Sequence, residues 1–137
     1  MADIVGLTGL QIEVMRVLWN RGESTVVEVQ RAMAPQRPLA QATVATLLSS
    51  LEKRGAITHR VEGRQFIYRA TLAENAVRKS IVSQVTERLF AGDAPALVNQ
   101  LLEERGISRA DLEDMKAMIA AKEKELDKTS RPKKKER

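Results

Sequence analysis

The sequence predicts a mainly α-helical chain carrying one small β-hairpin, and three observations lead there. Three amphipathic segments with start and stop signals fill residues 8–55. Two short runs rich in β-branched and aromatic residues follow at 57–69, around a glycine. Residues 72–128 then return to helical periodicity.

The first helix opens at Thr8-Gly9-Leu10-Gln11, where Thr8 caps and Gln11 reaches back. Leu10, Val14, Val17 and Leu18 recur at helical spacing, Met15 and Trp19 widen the stripe, and Gly22 ends it. Trp19 and Met15 read as core, the indole N–H seeking one acceptor beneath the hairpin. Thr25-Val26-Val27-Glu28 is a second capping box, with Val26, Val29 and Met33 inward, and Pro35 and Pro38 forbid continuation. The third helix runs from about Gln41 to Arg54 and closes at Gly55, with Val44, Leu47, Leu48 and Leu51 as a buried stripe. Ile57–Val61, a Glu62-Gly63-Arg64 turn and Gln65–Arg69 then read as a hairpin. Three helices followed by a two-stranded hairpin is the winged helix-turn-helix order, and it occupies residues 1–71.

Residues 72–128 read as a helical dimerisation domain. A third capping box, Thr71-Leu72-Ala73-Glu74, opens a helix with Val77, Ile81, Val85 and Leu89 inward. Asp93 caps a short helix with Pro95 near its start and Leu97, Val98, Leu101 and Leu102 apolar, and Gly106 stops it. Ser108 caps a last helix bearing Leu112, Met115, Ile119 and Leu126. Three such helices cannot wrap a separate core, so a second copy is expected to bury Val77, Ile81, Val85, Leu97, Leu101, Leu112, Met115 and Ile119. Residues 129–137, ending in the Lys133-Lys134-Lys135 run, read as a basic disordered tail.

Composition narrows the function. The 137 residues contain no cysteine and one histidine, His59. Disulfides, zinc fingers, histidine-assisted nucleophiles and multi-histidine metal sites are therefore unavailable, and neither metal nor cofactor is expected. No glycine-rich phosphate loop is present, so the chain does not read as an enzyme. The absence of a long apolar run or a signal-type N-terminus leads us to expect a cytoplasmic protein without membrane insertion. Charge is uneven: residues 1–72 carry nine Lys/Arg against six Asp/Glu, 73–127 eight against eleven, and 128–137 six against one. A basic front suits nucleic acid.

The outer face of the third helix is small, polar and almost uncharged. Gln41, Ala42, Thr43, Ala45, Thr46, Ser49, Ser50 and Lys53 lie on or beside it. Such a helix fits a major groove: Gln41 matches adenine, threonine hydroxyls match phosphates and threonine methyls match thymine. The same pattern also describes an ordinary solvated face. In the hairpin Arg60, Arg64 and Arg69 are cationic, and Arg64 at the turn suits a phosphate or a minor groove. Lys53 and Arg54 complement the dipole of the helix's last turn, Lys53 being the better phosphate partner.

Leu7-Thr8, Gln11, Val14-Met15 and Leu18-Trp19, then Thr43-Val44-Ala45-Thr46-Leu47-Leu48 with Leu51 and Lys53-Arg54-Gly55, then Gly63-Arg64 with Tyr68, occur in order. In this the chain resembles the penicillinase-repressor (BlaI/MecI/CopY) family, firmly over the first 70 residues and loosely beyond. The resemblance implies a homodimer on a dyad-symmetric operator in double-stranded DNA, repressing a resistance or stress gene. It also implies relief through a membrane sensor-protease that cuts the arm; where relatives are cut between Asn and Phe, this chain has Gln100-Leu101. The cysteine pairs of copper-responsive relatives are missing, and Ser50 stands where a basic residue is common. The competing reading is a winged-helix protein-interaction module without sequence-specific DNA binding.

Overall fold

The computed structural model describes residues 6–135, with side chains through 129. The elements are α1 (Gly9–Arg21), α2 (Val26–Met33), α3 (Gln41–Lys53), β1 (Ile57–Glu62), β2 (Gln65–Ala70), α4 (Glu74–Phe90), α5 (Ala94–Glu103) and α6 (Arg109–Lys135). They form two compact units, one through Leu89 and one from Phe90 onward.

Both capping boxes of the first two helices form. Thr8 and Gln11 exchange side-chain-to-backbone bonds across the first turn of α1, as do Thr25 and Glu28 in α2. Gly22 leaves α1 at φ 84, a left-handed conformation that suits glycine. Between α2 and α3 the chain is pinned twice: the Gln30 side-chain amide donates to the Leu39 carbonyl at 2.9 Å, and Arg37 pairs with Glu13 at 3.2 Å. These ties set where α3 begins.

The core joins Val14, Met15 and Leu18 of α1, Val29 and Met33 of α2, and Val44, Leu48 and Leu51 of α3 to Ala56, Ile57 and Tyr68. Each large aliphatic among them contributes about 1.5–3 kcal/mol by leaving water. Leu47 is only half-buried, as is Trp19. The hairpin is antiparallel, with Glu62 opposite Gln65. Its turn is thus Gly63-Arg64 alone, rather than the expected Glu62-Gly63-Arg64, and Gly63 takes φ 62. Ser24, between α1 and α2, exchanges backbone bonds with Tyr68 at 2.9 and 2.8 Å and holds β2 against the helices.

The approach to α4 departs from expectation. The Thr71 hydroxyl donates to the Gly55 carbonyl at 2.7 Å instead of capping α4, and the Thr71 N–H bonds Ala56. The Trp19 indole donates to the Leu72 carbonyl at 2.8 Å, beyond the hairpin rather than beneath it. With the chain drawn inward there, Val77 is 3% exposed in the single chain, so it belongs to internal packing and not to a dimer contact.

In the second unit Asp93 caps α5 through the Ala96 N–H, and Ser108 and Asp111 cap α6 reciprocally. Helical backbone continues to Lys135, through most of the segment 129–137 expected as a disordered tail; residues 136–137 lie outside the described residues. An i,i+3 pair of Lys122 with Glu125 and a bond from the Thr129 hydroxyl to the Glu125 carbonyl accompany that extension.

Glu28 ties stability to pH. Its carboxyl is held below its ordinary value chiefly by accepting the Thr25 backbone N–H; burial opposes this, and the Thr25 hydroxyl, Arg21 and Arg31 add to the lowering. A lowered native value means the contribution is complete above the ordinary glutamate range and lost as pH falls through the lowered value. Glu28→Gln keeps an acceptor but no proton equilibrium. Urea melts between about pH 5 and 3 should therefore show a shallower acid loss in the variant than in the wild type.

Candidate nucleic-acid interface

Because Val44, Leu48 and Leu51 are fully buried, the opposite side of α3 must face outward. Gln41, Ala42, Thr43, Thr46, Ser49 and Lys53 are all exposed there, and Ala45 is half-buried at its edge. Thr46 donates its hydroxyl to the Ala42 carbonyl at 3.0 Å, so its methyl and oxygen lone pairs are what it presents. Ser50 is different. Its oxygen accepts from the buried Gln11 side chain at 2.8 Å, which makes the half-buried residue a tie between α1 and α3 while its own O–H proton stays available to donate.

The hairpin's cations separate in the same way. Arg60 is clamped between Glu23 (3.0 Å) and Glu62, and these carboxylates, Glu23 first, hold its guanidinium more firmly charged than usual. The bond to Arg60 in turn holds the Glu23 carboxyl below its ordinary value. Arg64 stands exposed at the turn, and no carboxylate partner is seen for it or for Lys53. Of the cations named from sequence, Arg60 is thus engaged by carboxylates, whereas Arg64 and Lys53 are exposed.

His59 is not a plain surface residue. Its Nδ1 lies 2.7 Å from the Glu52 carboxylate, linking β1 to the last turns of α3, and its ring stacks on Phe66 at 4.0 Å and 11°. Tyr68 completes this face; burial, with the nearby Glu52 charge, pushes its phenol up. Phe66, Val26 and Val27 were missed from sequence. They line, with Gln41, Ala45 and Arg64, an open groove of about 380 Å³ between the start of α3, the start of α2 and the wing. The available signal was strand alternation, which puts Phe66 on the Tyr68 face. A second open depression, lined by Thr46, Ser49, Ser50, Lys53 and Arg54, follows the outer side of α3.

Among the described residues no group of three or more His, Asp or Glu side chains is placed to hold a metal, and no helix is long and apolar enough to cross a membrane.

Three helices, a two-stranded wing and an exposed hydroxyl-bearing third helix define a winged helix-turn-helix protein. The penicillinase repressor family model matches residues 7–121, and the chain belongs to that family. It is thereby one of the DNA-binding transcriptional repressors and not an enzyme. A penicillinase repressor of Bacillus licheniformis is 25% identical over 115 residues, covering 84% of this chain and 90% of that one. The methicillin resistance regulatory protein MecI of Staphylococcus aureus (strain N315) is 19% identical over 116 residues, covering 85% and 94%. The solved complex of hsRosR-S4 superposes with a TM-score of 0.54 at 13% identity over 90% of this chain and 96% of that chain, a likeness of fold alone.

The Glu52–His59 contact should hold the wing to α3. Glu52→Gln is expected to lose about 1 kcal/mol of local stability, since the pair is only partly buried. Amide exchange in the hairpin, at Arg60 and Ile67, should then quicken about fivefold while the α1 amides stay unchanged. Equal hairpin exchange in both proteins would remove the clamp from the account.

Proposed function

We propose that the chain acts as a homodimeric repressor that occupies a dyad-symmetric operator and so excludes transcription. The observation that carries this is the exposed outer side of α3, flanked by Arg64 and Lys53 and anchored by a fully buried stripe. Placed in a major groove, α3 would offer Gln41 to an adenine edge and the Thr43 and Thr46 methyls to thymine, while Arg64 and Lys53 meet phosphates. Ala42 and Ala45 allow the backbone to come close.

The need for a second copy rests on the arm. Among the described residues from 90 to 129 none is buried, and Leu101, Leu102, Met118, Ile119 and Leu126 are 43–67% exposed. A helical pair left in that condition forfeits most of its hydrophobic stabilisation. Leu97, Leu101, Leu112, Met115 and Ile119 of the second unit and, in the first unit, the half-buried Ile81 and Val85 of α4 are the residues proposed to pair. Pairing sets two α3 helices about one turn of DNA, roughly 34 Å, apart.

Relief through a membrane sensor-protease belongs to the same proposal and is supported by family membership. Gln100 and Leu101, both exposed, lie inside α5, so cleavage there requires the helix to unwind locally before the bond enters a protease cleft. A cut would separate α6 from the DNA-binding unit.

Titration of a palindromic promoter duplex across salt should give a log–log slope of about −5, for five or six neutralised phosphates. Equal affinity for cognate and random duplexes would overturn operator recognition. Ile119→Asp should yield monomers in sedimentation and lower DNA affinity in step, because an unpaired carboxylate enters an apolar contact. A dimer that survives this substitution would place the interface elsewhere.

A further inference from the structure

The buried side chain of Gln11 does more than close the first turn of α1. Its carbonyl oxygen accepts the Thr8 N–H at 2.9 Å, and its amide nitrogen lies 2.8 Å from the Ser50 hydroxyl oxygen. A backbone N–H can only donate, so the oxygen of the amide must face Thr8 and the NH2 must face Ser50. An NH2 group accepts nothing. Ser50 is therefore held as an acceptor, and its own hydrogen is directed away from Gln11. Thr46, about one turn earlier, spends its hydrogen on the Ala42 carbonyl at 3.0 Å. Among the described residues no such acceptor is seen for the Ser50 hydrogen. Ser50 opens instead on the depression along the outer side of α3, where Thr46, Ser49 and Lys53 are its neighbours and no carboxylate lines the wall.

We propose that Gln11 is a positioning residue for DNA binding, one that presents the Ser50 hydroxyl as a donor to an operator phosphate shared with Lys53. The inference rests on the DNA-binding reading and adds to it a residue that lies outside the α3 surface. Base edges belong to the N-terminal part of a recognition helix, whereas Ser50 and Lys53 lie in the last turn of α3. The helix dipole is negative at that end and disfavours an anion. A phosphate there needs side-chain donors, and the Lys53 ammonium and the Ser50 hydrogen supply them. A serine within a helix is ordinarily drawn to the carbonyl one turn back, as Thr46 is to Ala42. The bond from Gln11 draws the Ser50 oxygen off that course, toward α1, and leaves the hydrogen for a ligand.

The test uses the full chain and a palindromic duplex that it selects from a random library. One phosphate at a time is replaced by an uncharged methylphosphonate, symmetrically in both half-sites, and affinity is compared with that for the unmodified duplex. Wild type should show a position where the replacement weakens binding about tenfold, through loss of a charge-assisted bond and an ion contact. Ser50→Ala should cut that contrast to about threefold and leave the salt slope, which counts charges, unchanged. Lys53→Ala should cut the same contrast and also lower the slope. Gln11→Glu tests the amide itself. A carboxylate still accepts the Thr8 N–H, as glutamate does in capping boxes, but it takes the Ser50 hydrogen inward. It should reduce the contrast to about threefold, and joining it to Ser50→Ala should reduce it no further. Gln11→Met, the second variant in case a buried carboxylate impairs folding, frees the Ser50 hydroxyl to turn to the Thr46 carbonyl and should also lower the contrast. Each contrast compares two duplexes with one protein, so a loss of folded protein cancels from it. A contrast that Ser50→Ala or both Gln11 variants leave unchanged overturns the positioning role while operator binding stands. Additive losses in the double variant overturn it too, because they mark simple repulsion by the new charge. Failure to bind any selected duplex would overturn both this role and the repressor reading.

Discussion

Complete burial of Val44, Leu48 and Leu51 is the constraint from which the rest of the molecule follows. These residues lie on one side of α3 and meet Val14, Met15, Leu18, Val29 and Met33. Rotating the helix by a fraction of a turn would expose aliphatic surface worth several kcal/mol and bury hydroxyls without partners. The side left outside is therefore determined by the side held inside. The surface proposed to meet DNA is then a consequence of core packing, expressed on the opposite side of the same helix.

Polar ties refine what the core has set. Gln11 completes the α1 capping box and also reaches Ser50, so one buried amide couples the start of α1 to the middle of α3. Gln30 holds Leu39, just before α3 begins, and Ser24 holds Tyr68. Glu52 and His59 join α3 to the wing. Ion pairing also sorts the cations: carboxylates occupy Arg60 and Arg37, whereas Arg64 stands exposed at the turn.

The arm is built on a different principle. Its helices are well started, by Asp93 in α5 and by Ser108 with Asp111 in α6, yet their apolar residues remain outside. Local signals are enough to make helices, and they do not supply a core. This division suits the proposed repressor, in which a second copy would cover the arm.

Much of this was legible in the sequence because it is local. Capping boxes at Thr8 and Thr25, caps at Asp93 and Ser108, the stripe on α3 and the glycine in the wing each depend on residues a few positions apart. Short-range pattern likewise identified Gln41, Thr43 and Thr46 as outward residues. What it could not decide was competition for a partner across long separations. Thr71 looked like a cap, but Gly55 claims its hydroxyl; the bond from Gln11 to Ser50 had no local signal; Arg60 looked like a wing cation, but Glu23 neutralises it. Val77 looked like an interface residue and is instead covered within the chain. Each of these groups has one set of bonds or one surface to commit. Only the packing of distant segments determines which neighbour is near enough to receive it.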